Sequence, residues 1–230
     1  SGDHHRKPWY GTACCPSQIS RFLPSVGGYV YSVSDDSIWI NLFVGSGTEV
    51  SVAGTSVSLS QTTRYPWDGS VTVSVVPERA KRFGVRIRIP GWCTGWSLKV
   101  NGVPADFILE DGYAVIDRKW RRGDTVLLDM DMPVRVEAAD PRVKADEGRR
   151  SICRGPLVYC IEEADNPEFD KAVLKADADF EVEYDPGLLG GVCSITAVQD
   201  GGDLKFIPYY AWDNRDPGRM EVWVRYDEHK

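Results

Sequence analysis

From residue 29 onward the apolar residues recur at every second position, in short runs broken by turn-forming clusters. Val85, Ile87 and Ile89 fall on one side of such a run, and Arg86 and Arg88 on the other. That pattern describes a strand with one face on a core and one in water. Runs of this kind cover 29–34, 37–44, 49–53, 56–61, 70–76, 83–89 and 96–100. Asp35-Asp36, Gly45-Ser46-Gly47, Asp68-Gly69, Pro90-Gly91 and Asn101-Gly102 separate them. Strands so closely spaced, with turn chemistry between, pack as antiparallel sandwiches rather than as βαβ units.

Runs at 113–117 and 125–129 complete this first block. The stretches 138–150 and 164–178 are charged or polar and poor in β-branched residues, and a second set of runs covers 157–162, 180–184, 193–198, 204–210 and 220–226. The expected fold is therefore all-β, with two β-sandwich, jelly-roll-like domains over 29–135 and 136–217. The strand at 218–228 is a candidate to complete the first of them.

Residues 1–28 read differently. Pro16 suits the first position of a helix, where its missing N–H costs nothing. Ile19, Phe22, Leu23 and Val26 follow at helical spacing, and Gly27-Gly28 offers a stop. Pro24 removes the hydrogen bond to the Ser20 carbonyl, so a kink or an early end is expected there.

The net charge of −7 and pI near 5.1 argue against a nucleic-acid partner. Arg79-Ala80-Lys81-Arg82 and Arg118-Lys119-Trp120-Arg121-Arg122 are short and read as solvated strand ends. No run of about 18 apolar residues occurs, so no membrane span is expected. The polar opening Ser1-Gly2-Asp3-His4-His5-Arg6-Lys7 leads straight into Pro8-Trp9-Tyr10, which reads as a cut inside a longer protein. Any export signal would then lie upstream, and the compartment stays open.

Chemistry concentrates at Cys14-Cys15, just before Pro16. A helix N-terminus favours a thiolate, which is the nucleophilic and metal-binding form of cysteine. Zinc needs about four ligands, and no second Cys-x₂-Cys or His-x₃-His supplies them. His4, His5 and His229 lie at the ends and read as tail residues. Cys93, Cys153, Cys160 and Cys193 have no metal-like spacing and read as structural. Spacing alone leaves the pair open between a metal site, two core thiols and a strained vicinal disulfide.

The run Arg6-Lys7-Pro8-Trp9-Tyr10-Gly11-Thr12-Ala13-Cys14-Cys15-Pro16-Ser17-Gln18-Ile19-Ser20-Arg21 resembles a motif of the β-L-arabinofuranosidase-type glycoside hydrolases, a family once catalogued as a domain of unknown function. Ile89-Pro90-Gly91-Trp92, Val100-Asn101-Gly102, Trp120-Arg121-Arg122-Gly123-Asp124, Arg154-Gly155-Pro156-Leu157-Val158-Tyr159 and Tyr209-Tyr210-Ala211-Trp212-Asp213-Asn214-Arg215 extend the resemblance over the whole chain.

The resemblance implies an N-terminal (α/α)₆ barrel that holds the active site, followed by β-sandwich domains. It implies that Cys14 is nucleophile and zinc ligand in a retaining mechanism, and that Cys15 is a second ligand. A third cysteine, a glutamate ligand and a glutamate acid/base would lie in the barrel, upstream of Ser1. Residues 1–28 would be the barrel's last remnant. Two departures stand out: Gln18 replaces the family's usual Asn, and Pro24 interrupts the last barrel helix. The implied substrate is an arabinose-containing plant glycan. The isolated chain is expected to be inert and to bind zinc weakly or not at all.

Two other roles fit the residues. The sandwiches could bind carbohydrate, with Trp67 and Trp92 as candidate sugar-stacking residues because they fall in loops, whereas Trp39, Trp96 and Trp223 fall in strands and read as core. They could instead be structural, bracing the barrel or a homo-oligomer partner through an apolar face. For residues 29–228 the structural role leads.

Overall fold

The computed structural model describes residues 6, 9 and 11–228. Helix α1 (Cys14–Ser25) is followed by a short helix α2 (Gly27–Val30). Gly27-Gly28 therefore does not end the helical segment. Val26 keeps right-handed helical angles, and the backbone becomes extended only at Tyr31. Pro24 lies inside α1, one residue from its end, so the bond it removes falls where the helix is already closing.

Contacts group residues 11–132 into one unit and residues 6, 9 and 133–228 into the other, a division within a few residues of the expected 135. The first unit carries β1 (Tyr31–Val33), β2 (Ser37–Ile40), β3 (Ser46–Val52), β4 (Thr55–Thr63), β5 (Ser70–Pro77) and β6 (Lys81–Arg88). It continues with β7 (Trp96–Val100), β8 (Val103–Pro104), β9 (Ile108–Glu110), β10 (Tyr113–Trp120) and β11 (Asp124–Met130). One sheet runs β1-β2-β6-β10-β9 and the other β3-β4-β5-β11-β7-β8.

The core between these two sheets follows the alternation. Ile38 and Ile40 of β2, Phe83, Val85 and Ile87 of β6, and Val71, Val73 and Val75 of β5 are all buried in one cluster. Trp120 closes it, fully buried, with its indole N–H donating to the Phe83 carbonyl at 2.9 Å. Turn chemistry sets the register: Asn101-Gly102 and Asp111-Gly112 both have positive φ at both residues, as tight two-residue hairpins require. The Asp124 carboxylate then ties one turn to another, accepting from the Asn101 side chain at 2.8 Å and the Arg121 N–H at 2.9 Å.

The second unit contains β12 (Val134–Ala138), β13 (Arg149–Arg154), β14 (Leu157–Glu162), β15 (Val173–Lys175) and β16 (Asp179–Asp185). It ends with β17 (Val192–Val198), β18 (Leu204–Pro208), β19 (Met220–Glu221) and β20 (Val224–Asp227). These nine strands form one network along β15-β20-β13-β14-β18-β17-β16, with β12 on β13 and β19 on β14. Both β13 and β14 change partner partway along, β13 from β14 to β20 and β14 from β13 to β19. Strands shared in this way let a network turn a corner and enclose a core. Ile152, Tyr159, Ile161, Leu174, Ile195 and Phe206 fill that core.

The strand expected over 218–228 belongs here and does not complete the first unit. Its residues Val224 and Arg225 pair with β13, and Val173–Lys175 pairs alongside in parallel. Alternation marks a strand without choosing its partner.

Burial in this unit has a measurable consequence. It pushes the Tyr159 phenol and the Cys160 thiol each up to about 12. Unfolding lets them ionise near their ordinary values of roughly 10 and 8.5. Their contribution to stability is therefore complete below those values and is lost as pH rises toward about 12. Denaturant midpoints are expected to fall across that alkaline window. At pH 8.5, iodoacetamide is expected to label exposed Cys14 and Cys15 and to spare Cys160; labelling of Cys160 as fast as Cys14 would contradict its burial.

Candidate functional site

Cys14 and Cys15 are the first two residues of α1, and both are exposed free thiols. The two Sγ atoms lie 3.8 Å apart, longer than a disulfide bond of about 2.05 Å. Two sulfurs bound to one tetrahedral zinc at about 2.3 Å stand about 3.8 Å apart. The pair thus has the spacing of two ligands of a single ion. Among the described residues no group of three or more His, Cys, Asp or Glu could hold a metal. His4, His5 and His229 fall outside the described residues.

The helix that carries the pair is exposed along its length. No α1 residue is buried, and Ile19, Phe22 and Leu23, the apolar stripe predicted from spacing, are 59%, 56% and 65% exposed. Ser17 and Ser20 bond back to the carbonyls of Cys14 and Pro16 at 3.1 and 2.9 Å. A helix of this length gains most of its stability from tertiary packing of its apolar face.

Upstream of the pair, Arg6 is held by the loop after β18. Its Nε donates to the Trp212 carbonyl at 2.6 Å and its Nη2 to the Tyr210 carbonyl at 3.0 Å. Its backbone N–H donates to the Asp213 carboxylate, and its guanidinium lies 5.3 Å from the centre of the Trp212 ring. The loop is braced in turn from below. Glu162, almost fully buried, accepts the Asp213 N–H at 2.8 Å and pairs with Arg215, which also grips Asp165 at 2.6 and 2.8 Å. Sequence reading quotes the 209–215 motif but misses Glu162 and Asp165. They stand some 50 residues before Arg215, and only the pairing of strands brings them together.

The tryptophans are distributed otherwise than expected. Trp67 is 46% exposed. Trp92 is half-buried against the first core and stacks on Tyr65 with ring centres 6.5 Å apart. Trp120, read as a strand-end residue that could be exposed, is fully buried, because it shares the inward side of β10 with Ala114 and Ile116. Trp39, read as core, stands on the outer face of β2, between the buried Ile38 and Ile40. Alternation outweighs bulk at both positions. Cys93 and Cys160 are buried, and Cys153 and Cys193 are half-buried.

Residues 37–132 match the family model of the β-L-arabinofuranosidase GH127 middle domain, and residues 134–225 that of the glycoside hydrolase family 127 C-terminal domain. The chain is 36% identical to the non-reducing end β-L-arabinofuranosidase of Bifidobacterium longum subsp. longum, over 96% of its own length. A crystal structure of a GH127 β-L-arabinofuranosidase from Geobacillus stearothermophilus T6 superposes with a TM-score of 0.90 at 39% identity, over 98% of this chain. A second GH127 β-arabinofuranosidase gives 0.87 at 36%, over 97%. The chain spans 38% of the length of the first of these relatives, 39% of the second and 40% of the third.

Proposed function

Because the chain belongs to glycoside hydrolase family 127 through its middle and C-terminal domains, we propose that it is the β-sandwich portion of a retaining enzyme that cleaves β-L-arabinofuranosides in arabinose-containing plant glycans. The observation that carries this reading is the exposed Cys14-Cys15 pair, set at the 3.8 Å spacing of two ligands of one zinc ion. In the assembled enzyme α1 completes a helical barrel, whose other helices cover Ile19, Phe22 and Leu23. The relatives extend well beyond their match to this chain, which supports a further domain of this kind.

Cys14 is the nucleophile. Its Sγ bonds to the anomeric carbon while the glycosidic C–O bond breaks, and an acid/base carboxyl outside this chain protonates the departing oxygen. The same carboxylate then takes a proton from water, whose oxygen replaces the sulfur at the anomeric carbon. Two displacements return the original configuration. Zinc, held by Cys14, Cys15 and ligands outside this chain, would keep the sulfur as thiolate at neutral pH. Cys14 and Cys15 also stand where the first-turn N–H groups of α1 favour an anion.

With two of about four zinc ligands and no acid/base of its own, the isolated chain is expected to hydrolyse nothing and to act structurally. The test uses the protein that joins this chain to its barrel. Proton NMR of freshly released sugar is expected to show the β anomer first, and peptide mapping after acid quench to find a pentosyl adduct on Cys14. Initial release of the α anomer would overturn the mechanism.

A further inference from the structure

A groove of about 480 Å³ opens on the outer face of the first unit, lined by Ser32, Val33, Trp39, Asn41 and Tyr113. Its shape follows from strand register. Trp39 on β2 has two cross-strand neighbours: Arg86 on β6 and Ser32 on the edge strand β1. The Arg86 guanidinium lies 5.1 Å from the centre of the indole ring. Ser32 is too small to fill the space on the other side, so that flank of the indole stays open.

The polar groups around the opening are fixed in advance. Tyr113 Oη donates to Asn41 Oδ1 at 2.9 Å, and Asn41 Nδ2 donates to Ser32 Oγ at 2.9 Å and to the Tyr29 carbonyl at 3.4 Å. The network leaves capacity unspent: Ser32 Oγ still has its proton to give, and Tyr113 Oη and Asn41 Oδ1 can each accept again. No charged side chain lines the groove, and the charge of Arg86 is met by Glu110 at 2.6 Å.

We propose that this groove is a secondary binding site for a neutral oligosaccharide. An open aromatic flank beside preset hydroxyl and amide groups suits a sugar ring, whose C–H face packs on the indole while its hydroxyls meet the polar rim. A phosphate or carboxylate ligand would need an uncompensated cation, which the lining lacks. The open shape admits an interior unit of a chain as well as an end. That the sugar is arabinose rests on the function proposed above; that it is a neutral glycan rests on the groove alone.

The test is titration of the purified chain by NMR and calorimetry with arabino-oligosaccharides and with cello- and galacto-oligosaccharides. Saturable binding is expected, with Trp39→Ala raising Kd at least about tenfold, Trp39→Phe restoring most of the affinity, and Ser32→Phe blocking the groove. Ser32 is exposed on an edge strand, so its replacement controls for misfolding of the Trp39 variant. Preference for a non-arabinose glycan, still lost with Trp39→Ala, keeps the site and counts against the arabinose assignment. Absence of binding to every oligosaccharide would overturn the site. So would binding that survives both Trp39→Ala and Ser32→Phe, or that is lost only with Trp67→Ala.

Discussion

Replacing Cys14 with alanine in the barrel-bearing enzyme is expected to lower kcat for β-L-arabinofuranoside hydrolysis by about 10³-fold or more, the scale on which enzymes lose rate with their nucleophile. On the proposed mechanism the loss falls on kcat, because Cys14 Sγ would act on the anomeric carbon and contribute little to holding the sugar in the ground state. Cys15→Ala should act through the metal. It removes one of two sulfurs set 3.8 Å apart on the first turn of α1, and is expected to lower zinc content and activity together. Excess zinc should partly restore Cys15→Ala and leave Cys14→Ala inactive. Steady-state kinetics with metal analysis separate the two. A Cys14→Ala enzyme within tenfold of the parent would end the assignment of Cys14 as nucleophile.

Trp120→Ala is expected to destabilise the first sandwich by about 3–5 kcal/mol. The side chain is fully buried and stacks on Phe83 with ring centres 6.1 Å apart. Its N–H occupies the Phe83 carbonyl at 2.9 Å, so alanine leaves both a cavity and an acceptor without that donor. Trp120→Phe refills much of the cavity but not the bond, and should cost about 1–3 kcal/mol. Urea denaturation followed by circular dichroism measures both. A loss under about 1 kcal/mol for Trp120→Ala would mean that the first core tolerates the cavity, contrary to the packing described.

The two tryptophan reversals show where local reading succeeds. Trp39 falls in a strand and reads as core, Trp120 falls in a cluster that reads as a solvated strand end, and the structure reverses both. The alternation was already present in Ile38-Trp39-Ile40 and in Ala114, Ile116 and Trp120, and it places both correctly. Gly27-Gly28 fails for the opposite reason. Glycine permits a helix to stop without compelling it, and here the chain leaves helical angles only at Tyr31.

The candidate site divides in the same way. The adjacent sulfurs and the apolar stripe of Ile19, Phe22 and Leu23 are local, and the sequence states them; the helix start read at Pro16 falls two residues earlier, at Cys14. Other features join residues far apart in the chain: the partner of β20, the brace of Glu162 and Asp165 on Arg215, and the groove of Ser32, Trp39 and Tyr113. The sequence by itself determined that this protein is built of strands, and which side of most strands is apolar, because side-chain alternation is a property of each strand alone. Only the tertiary structure decided which strands pair and what meets on their outer faces, because register and partner are set by contacts between segments that no local pattern links.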